Sequence, residues 1–399
     1  MKIQSKYPNP FFTTCDIPDA FFCDREEETD KLRRMVTGGN NVLLVSPRRM
    51  GKSGLIHHLF NQEDISSKYY TFFVDIYATG SLDEFIQKLG REIVTKLSGK
   101  GFDAVAGFLR ALTSLKGEFS IDPSTGMPSF SIGIGEIKHP QTTIDEIFNY
   151  LEDADKPCIV AIDEFQQIAN YEQKNVEAVL RSKIQMMRNT AFIFSGSERS
   201  ILSQMFFSHS RPFYQSTSMI SLEPIGRSVY VPFAQKLFEI YGKQIASKAI
   251  EDTYDLLQGY TFFIQRTMNE AFSLLPAEEK CDTAFAFACI DGIISTNDGL
   301  YKEIMASLTP NQRALMASIA KEGTAFNIMS EDFAARNGLG SVSSIQSSVR
   351  ALLKKQLITK GLDKEYYLDD KFMELWLIRQ YGYSPSFRLD QNRLRTRTN

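Results

Sequence analysis

NVLLVSPRRMGKS, residues 41–53, runs from an apolar stretch through a polar turn into a helix start. Asn41 to Val45 read as a short buried strand. Ser46-Pro47-Arg48-Arg49-Met50 make the turn, and Gly51-Lys52-Ser53-Gly54 open the helix-forming run GLIHHLF. The spacing is that of the phosphate-binding pattern G-x-x-x-x-G-K-[S/T], with Ser46 where the first glycine belongs. The residue types fit the chemistry. Phosphates need converging backbone N–H donors at a helix N-terminus, and Gly51 permits close approach. Lys52 supplies a cation for the terminal phosphates, and Ser53 a hydroxyl oxygen for Mg²⁺. Residues 46–54 are therefore the candidate nucleotide cradle. The alternative is a chance GKS in a loop.

KPCIVAIDEFQQ, residues 156–167, weighs against chance. Cys158 to Ile162 read as a second buried strand, ending in Asp163-Glu164. In an open α/β sheet, ligands bind at the carboxyl ends of the strands. Asp163 is placed to hold Mg²⁺ through its water shell, and Glu164 to act as general base toward water.

The chain has 399 residues, which is more than one hydrophobic core usually serves. Its hydrophobic share of 43% and charged share of 23% are those of a globular protein. Residues 309–399 carry a net +5 and the remainder −8, a mildly basic module on an acidic body. The five cysteines include no C-x-x-C spacing, and the four histidines include no metal-ligand spacing. No run approaches a membrane span, and MKIQSKYPNPFF has no signal-peptide core. The expected compartment is a reducing cytoplasm.

Ahead of the loop, NPFFTTCDIPDAFFCD is aromatic and proline-punctuated, placed either to pack against an adenine ring or to seal the sheet edge. YYTFFVDI (69–76) reads as a strand, followed by a cap at Thr79-Gly80-Ser81 and an amphipathic helix. The stretch 118–136 breaks at Ser124-Thr125-Gly126 and reads as an inserted β-hairpin. After a helix over 175–188, Ala191 to Phe194 make a fourth strand ending in Ser195-Gly196-Ser197, small polar residues suited to a γ-phosphate or water. Arg211 follows, an arginine able to answer charge on the phosphates, and Met219 to Leu222 read as a fifth strand. Residues from Pro224 to about Asn297 read as wholly helical. Thr309-Pro310 then cap a new unit of three helices and two short strands around a polar turn, a winged helix-turn-helix. Its third helix offers Arg350, Lys354 and Lys355 as cations. The predicted domains are 1–223 for nucleotide, 224–305 for a helical lid, 306–385 for the winged helix, and 386–399 for a basic tail.

The order SPRRMGKS, FFVDI, VAIDEF, FIFSGS, RPFY, GYTFFIQ and a terminal winged helix resembles the archaeal-type ATPase group of P-loop proteins. That group lies near the STAND class, the AAA+ proteins and the origin-recognition ATPases. The resemblance implies an α/β fold with a five-stranded parallel sheet in the order 5-1-4-3-2, a helical lid and a winged helix. It also implies ATP or ADP with Mg²⁺, adenine held near Phe22 and Arg25, and slow, switch-like hydrolysis. Carried onto this sequence, Lys52 and Ser53 are phosphate-loop residues, Asp163 the magnesium-side acid, Glu164 the base, and Ser195 or Ser197 the sensor. Three departures stand out: Ser46 for glycine, Gln215-Ser216 where relatives carry Gly-Arg, and Gly259-Tyr260-Thr261-Phe262 where they carry G-G-x-P.

Three readings of function follow from the sequence. The first is an ATP-hydrolysing switch. The second is a winged-helix protein acting on double-stranded DNA with nucleotide as a structural part. The third is a non-hydrolysing scaffold for a protein partner or a second copy of the chain.

Overall fold

The structure is a computed structural model that describes residues 7–115, 120–121, 128–129, 137–276, 278–361 and 363–380. Its sheet is made of β1 (Val42–Val45), β2 (Tyr70–Asp75), β3 (Cys158–Asp163), β4 (Thr190–Gly196) and β5 (Ser218–Ser221). The order is β2-β3-β4-β1-β5 and every pairing is parallel, the expected 5-1-4-3-2 read from the other edge. The strands begin and end within one or two residues of the sequence reading. β1, β3 and β4 are buried throughout, as parallel strands covered on both faces must be. That burial is why each reads as an unbroken apolar run.

Register fixes what meets at the carboxyl edge. Leu44 pairs with Ser195, Ile162 with Phe194, and Asp75 with Asp163. Parallel pairing thus brings the phosphate loop after β1, the acidic pair ending β3 and the serines ending β4 to one edge. Asp75 is exposed and its Oδ1 accepts the Tyr77 N–H at 2.9 Å, a local turn bond. Ser81 caps the helix Leu82–Ser98 by accepting the Glu84 N–H. Within 118–136, Ser120–Ile121 pair antiparallel with Pro128–Ser129, and the rest of that stretch lies outside the described residues.

The chain divides into two compact units. One takes Arg25–Pro47 and Lys52–Leu222; the other takes the described residues of Met1–Asp24, Arg48–Gly51 and Glu223–Asn399. In the second unit the aromatic lead-in joins the helical core. Phe11 packs on Phe238 and Phe272, with ring centroids 5.3 and 6.0 Å apart, and Phe21 is buried in the same cluster. Arg49 belongs to this unit as well, its guanidinium 4.7 Å from the Phe262 ring and its carbonyl accepting the Phe262 N–H.

The 224–297 region is not wholly helical. Among its helices, Gln244–Ile245 pair in parallel with Lys280–Cys281. Gly259, at φ +73, sits where a Cβ would come within 2.8 Å of Pro224 and 2.9 Å of the Tyr254 hydroxyl. Only glycine fits that turn, which leads into the helix Thr261–Leu274.

The winged helix is built as its caps foretell. Thr309 and Gln312 form a capping box with Pro310 in the first turn of the helix Pro310–Glu322. Glu331–Arg336 and Val342–Lys354 follow, then the wing Ile358–Lys360 against Tyr366–Leu368. A further helix, Lys371–Gln380, was not legible in the sequence. Its residues from Lys371 to Ile378 are all buried, so no polar face marks a helical period. It holds a buried ion pair, Lys371 Nζ to Glu374 Oε2 at 2.9 Å. The expected basic tail lies outside the described residues.

Candidate active site

The phosphate loop resolves the missing glycine. Ser46 is fully buried and is not among the residues with positive φ; those fall at Arg49 (φ 66) and Gly51 (φ 95). The loop turns left-handed three residues before Lys52 and again just before it, so its first position tolerates a side chain. Ser46 Oγ donates to the Pro47 carbonyl at 2.9 Å. Lys52 is buried, and its Nζ donates to the carbonyls of Ser46 at 3.2 Å and Pro47 at 3.3 Å. The lysine is thus held over its own loop by carbonyl oxygens, the same class of acceptor that a phosphate offers.

Asp163 lies at the centre of the site. Its Oδ2 accepts from Ser53 Oγ at 2.7 Å, while its Oδ1 accepts from Ser195 Oγ and from the Glu164 N–H. One carboxylate therefore ties the helix after the loop to strands β3 and β4. Glu164 is left-handed, at φ 57 and ψ 42, which turns the chain sharply off β3. Its Oε2 accepts from Ser197 Oγ at 2.9 Å and from the amide of Gln166. Lys52, Ser53, Asp163, Glu164, Ser195 and Ser197 thus sit along one edge of the sheet.

Two other expected participants are engaged elsewhere. Arg211 forms an ion pair with Glu177 on the helix Val176–Ile184. Burial raises the Glu177 carboxyl above its usual range and the guanidinium opposes that rise. Arg25, at φ 78, donates to Glu28 in its own first helical turn at 2.6 Å. Phe22 is half-buried in the other unit. Gln166 was missed by the sequence reading. Its only signal is a polar residue two places after the acidic pair, in a turn (Phe165–Asn170) whose Phe165 and Ile168 are core.

The Ser53 and Asp163 oxygens suit a hard divalent cation such as Mg²⁺, which prefers oxygen and keeps several waters. No group of three or more His, Cys, Asp or Glu among the described residues forms a metal cage. A cation held largely by phosphates and water needs none. Cys158 is buried and its thiol is pushed up to about 12, which keeps it protonated and inert.

Residues 22–264 match the family described as an ATPase domain predominantly from Archaea, more than half of the chain. The chain belongs to that ATPase family. Residues 299–379 match a probable winged helix domain. Among solved structures, the Walker-type ATPase of Pyrococcus abyssi is 17% identical, with a TM-score of 0.62 over 92% of this chain and 99% of that one. The ORC2 protein of Aeropyrum pernix, solved in ADPNP-ADP complexes, is 11% identical, with a TM-score of 0.52 over 89% of this chain and 93% of that one. Both likenesses establish the fold. No curated protein matches the chain. No described helix of this ATPase-family chain is long and apolar enough to cross a membrane.

Proposed function

We propose that this ATPase-family protein hydrolyses ATP with Mg²⁺ and does so slowly, as a nucleotide-controlled switch in the cytoplasm. The observation that carries the reading is the bond network on Asp163, which joins Ser53, Ser195 and the Glu164 backbone at the end of β3. When bound, Mg²⁺ supplies charge for the β- and γ-phosphate oxygens, and Ser53 with Asp163 would hold it. Lys52 exchanges its loop carbonyls for phosphate oxygens. Water forms the new O–P bond, its proton passes to Glu164, and the bridging oxygen leaves with the electron pair of the broken bond. Ser195 steadies Asp163 and Ser197 steadies Glu164. Slow turnover fits an Arg211 guanidinium that is paired with Glu177 rather than offered to charge on the phosphates.

The test is nucleotide-dependent stability. ATP with Mg²⁺ at about a hundred times its Kd is expected to stabilise the protein by ~2.7 kcal/mol against denaturant. The gain should shrink with EDTA and vanish in Lys52→Ala. Equal stabilisation of wild type and Lys52→Ala would remove the phosphate role of the loop.

A second reading concerns double-stranded DNA, and one observation favours it. Ser343, Gln346, Ser347, Arg350 and Lys354 are exposed and share one face of the helix Val342–Lys354. The opposite face, Ile345, Val349 and Leu352, is core. Such a face suits a major groove. Binding to duplex should fall with salt at a log–log slope of roughly −0.9 per phosphate neutralised. Arg350→Ala should flatten that slope by about 1 if this arginine meets a phosphate. Absence of any mobility shift at low salt would dismiss this reading.

A further inference from the structure

Gln166 is 3% exposed, so a polar side chain lies in the core directly behind the acidic turn. Its Nε2 donates to Glu164 Oε2, the same oxygen that Ser197 holds. Its Oε1 has no hydrogen-bond partner among the described residues. The space it occupies exists only because residue 196 is glycine. A Cβ there would stand 2.0 Å from Gln166 Oε1 and 2.9 Å from Leu202 Cδ1. A buried amide with one end unbonded and the other spent on a carboxylate is costly for stability alone. Its use lies in the carboxylate.

We propose that Gln166 is a positioning residue for hydrolysis. Its amide, with the Ser197 hydroxyl, holds Glu164 by one carboxylate oxygen and leaves the other to take the proton of the attacking water. The consequence is preorganisation: the carboxylate is fixed before nucleotide arrives. Gly196 is part of the device because it admits the amide. The proposal rests on reading Glu164 as the base.

The test sets single-turnover hydrolysis of ATP by the full chain with Mg²⁺, expressed per folded molecule, against equilibrium binding of ATP. Gln166→Leu removes the donor, so hydrolysis is expected to fall by up to about 10²-fold while ATP affinity stays near that of wild type. Gln166→Glu keeps the size and replaces the donor with a second carboxylate, so hydrolysis should fall at least as far. Gly196→Ala, which displaces the amide, should lower it likewise. A purely structural amide gives a different result: turnover falls only with the folded fraction, and the rate per folded molecule stays at the wild-type value. That outcome in both Gln166 variants overturns the proposal. If Gln166→Leu fails to fold, the near-isosteric Gln166→Glu decides alone. Glu164→Gln separates the two layers. Wild-type turnover in that variant removes the base itself, whereas a dead Glu164→Gln beside Gln166 variants of wild-type rate removes only the role of Gln166.

Discussion

Glu164→Gln is expected to lower ATP turnover by ~10²–10⁴-fold, the usual cost of losing a general base. Nucleotide binding should barely change. The substitution keeps the size of the side chain and can still present an oxygen to Ser197 and Gln166, so neither the left-handed turn nor the carboxyl edge of the sheet has reason to shift. It removes only the capacity to accept a proton. The comparison to make is therefore single-turnover hydrolysis against equilibrium binding of ATP, both with Mg²⁺. A large drop in the first with an unchanged second marks a group that acts in the transition state. Unchanged hydrolysis would leave the carboxylate with a structural task. Asp163→Asn should behave differently, since Asp163 accepts from Ser53, Ser195 and the Glu164 backbone at once. Amidation there costs binding and turnover together.

The sequence reveals much of this arrangement because the sheet is parallel and buried. Val42–Val45, Cys158–Asp163 and Thr190–Gly196 must be apolar along their length, and each ends in the polar residues that the edge collects. Likewise Thr309, Pro310 and Gln312 announce a helix by local chemistry alone. What stays hidden depends on partners distant in the chain. Arg211 reads as a free guanidinium until folding brings Glu177 to it. Gln166 reads as one of two glutamines in a turn until Gly196, on the neighbouring strand, proves to be the gap it fills. The helix Lys371–Gln380 is concealed for the opposite reason. It is buried on every side, so the contrast between faces on which helical periodicity depends is absent.

Phe194→Ala should be among the most destabilising single changes in the sheet unit, by about 3–5 kcal/mol. Phe194 is fully buried, one residue before Ser195, and its ring meets four others: Phe165 at 4.5 Å, Phe206 at 5.3 Å, Phe213 at 5.5 Å and Phe192 at 6.0 Å. Phe165 and Phe213 are fully buried too and pack on each other, so the cluster has little freedom to collapse into the gap. The cost is read as a lower denaturation midpoint with an unchanged slope. This cluster also underlies the edge that carries the candidate site, because Phe165 directly follows Glu164 and Phe194 directly precedes Ser195. A cavity beneath both should loosen the Ser195–Asp163 and Ser197–Glu164 bonds, so turnover per folded molecule should fall as well. Phe194→Leu leaves a smaller gap, so both effects should be weaker in it. A cost below about 1 kcal/mol for Phe194→Ala, or full activity in its folded fraction, would mean that the aromatic layer does not support the acidic turn.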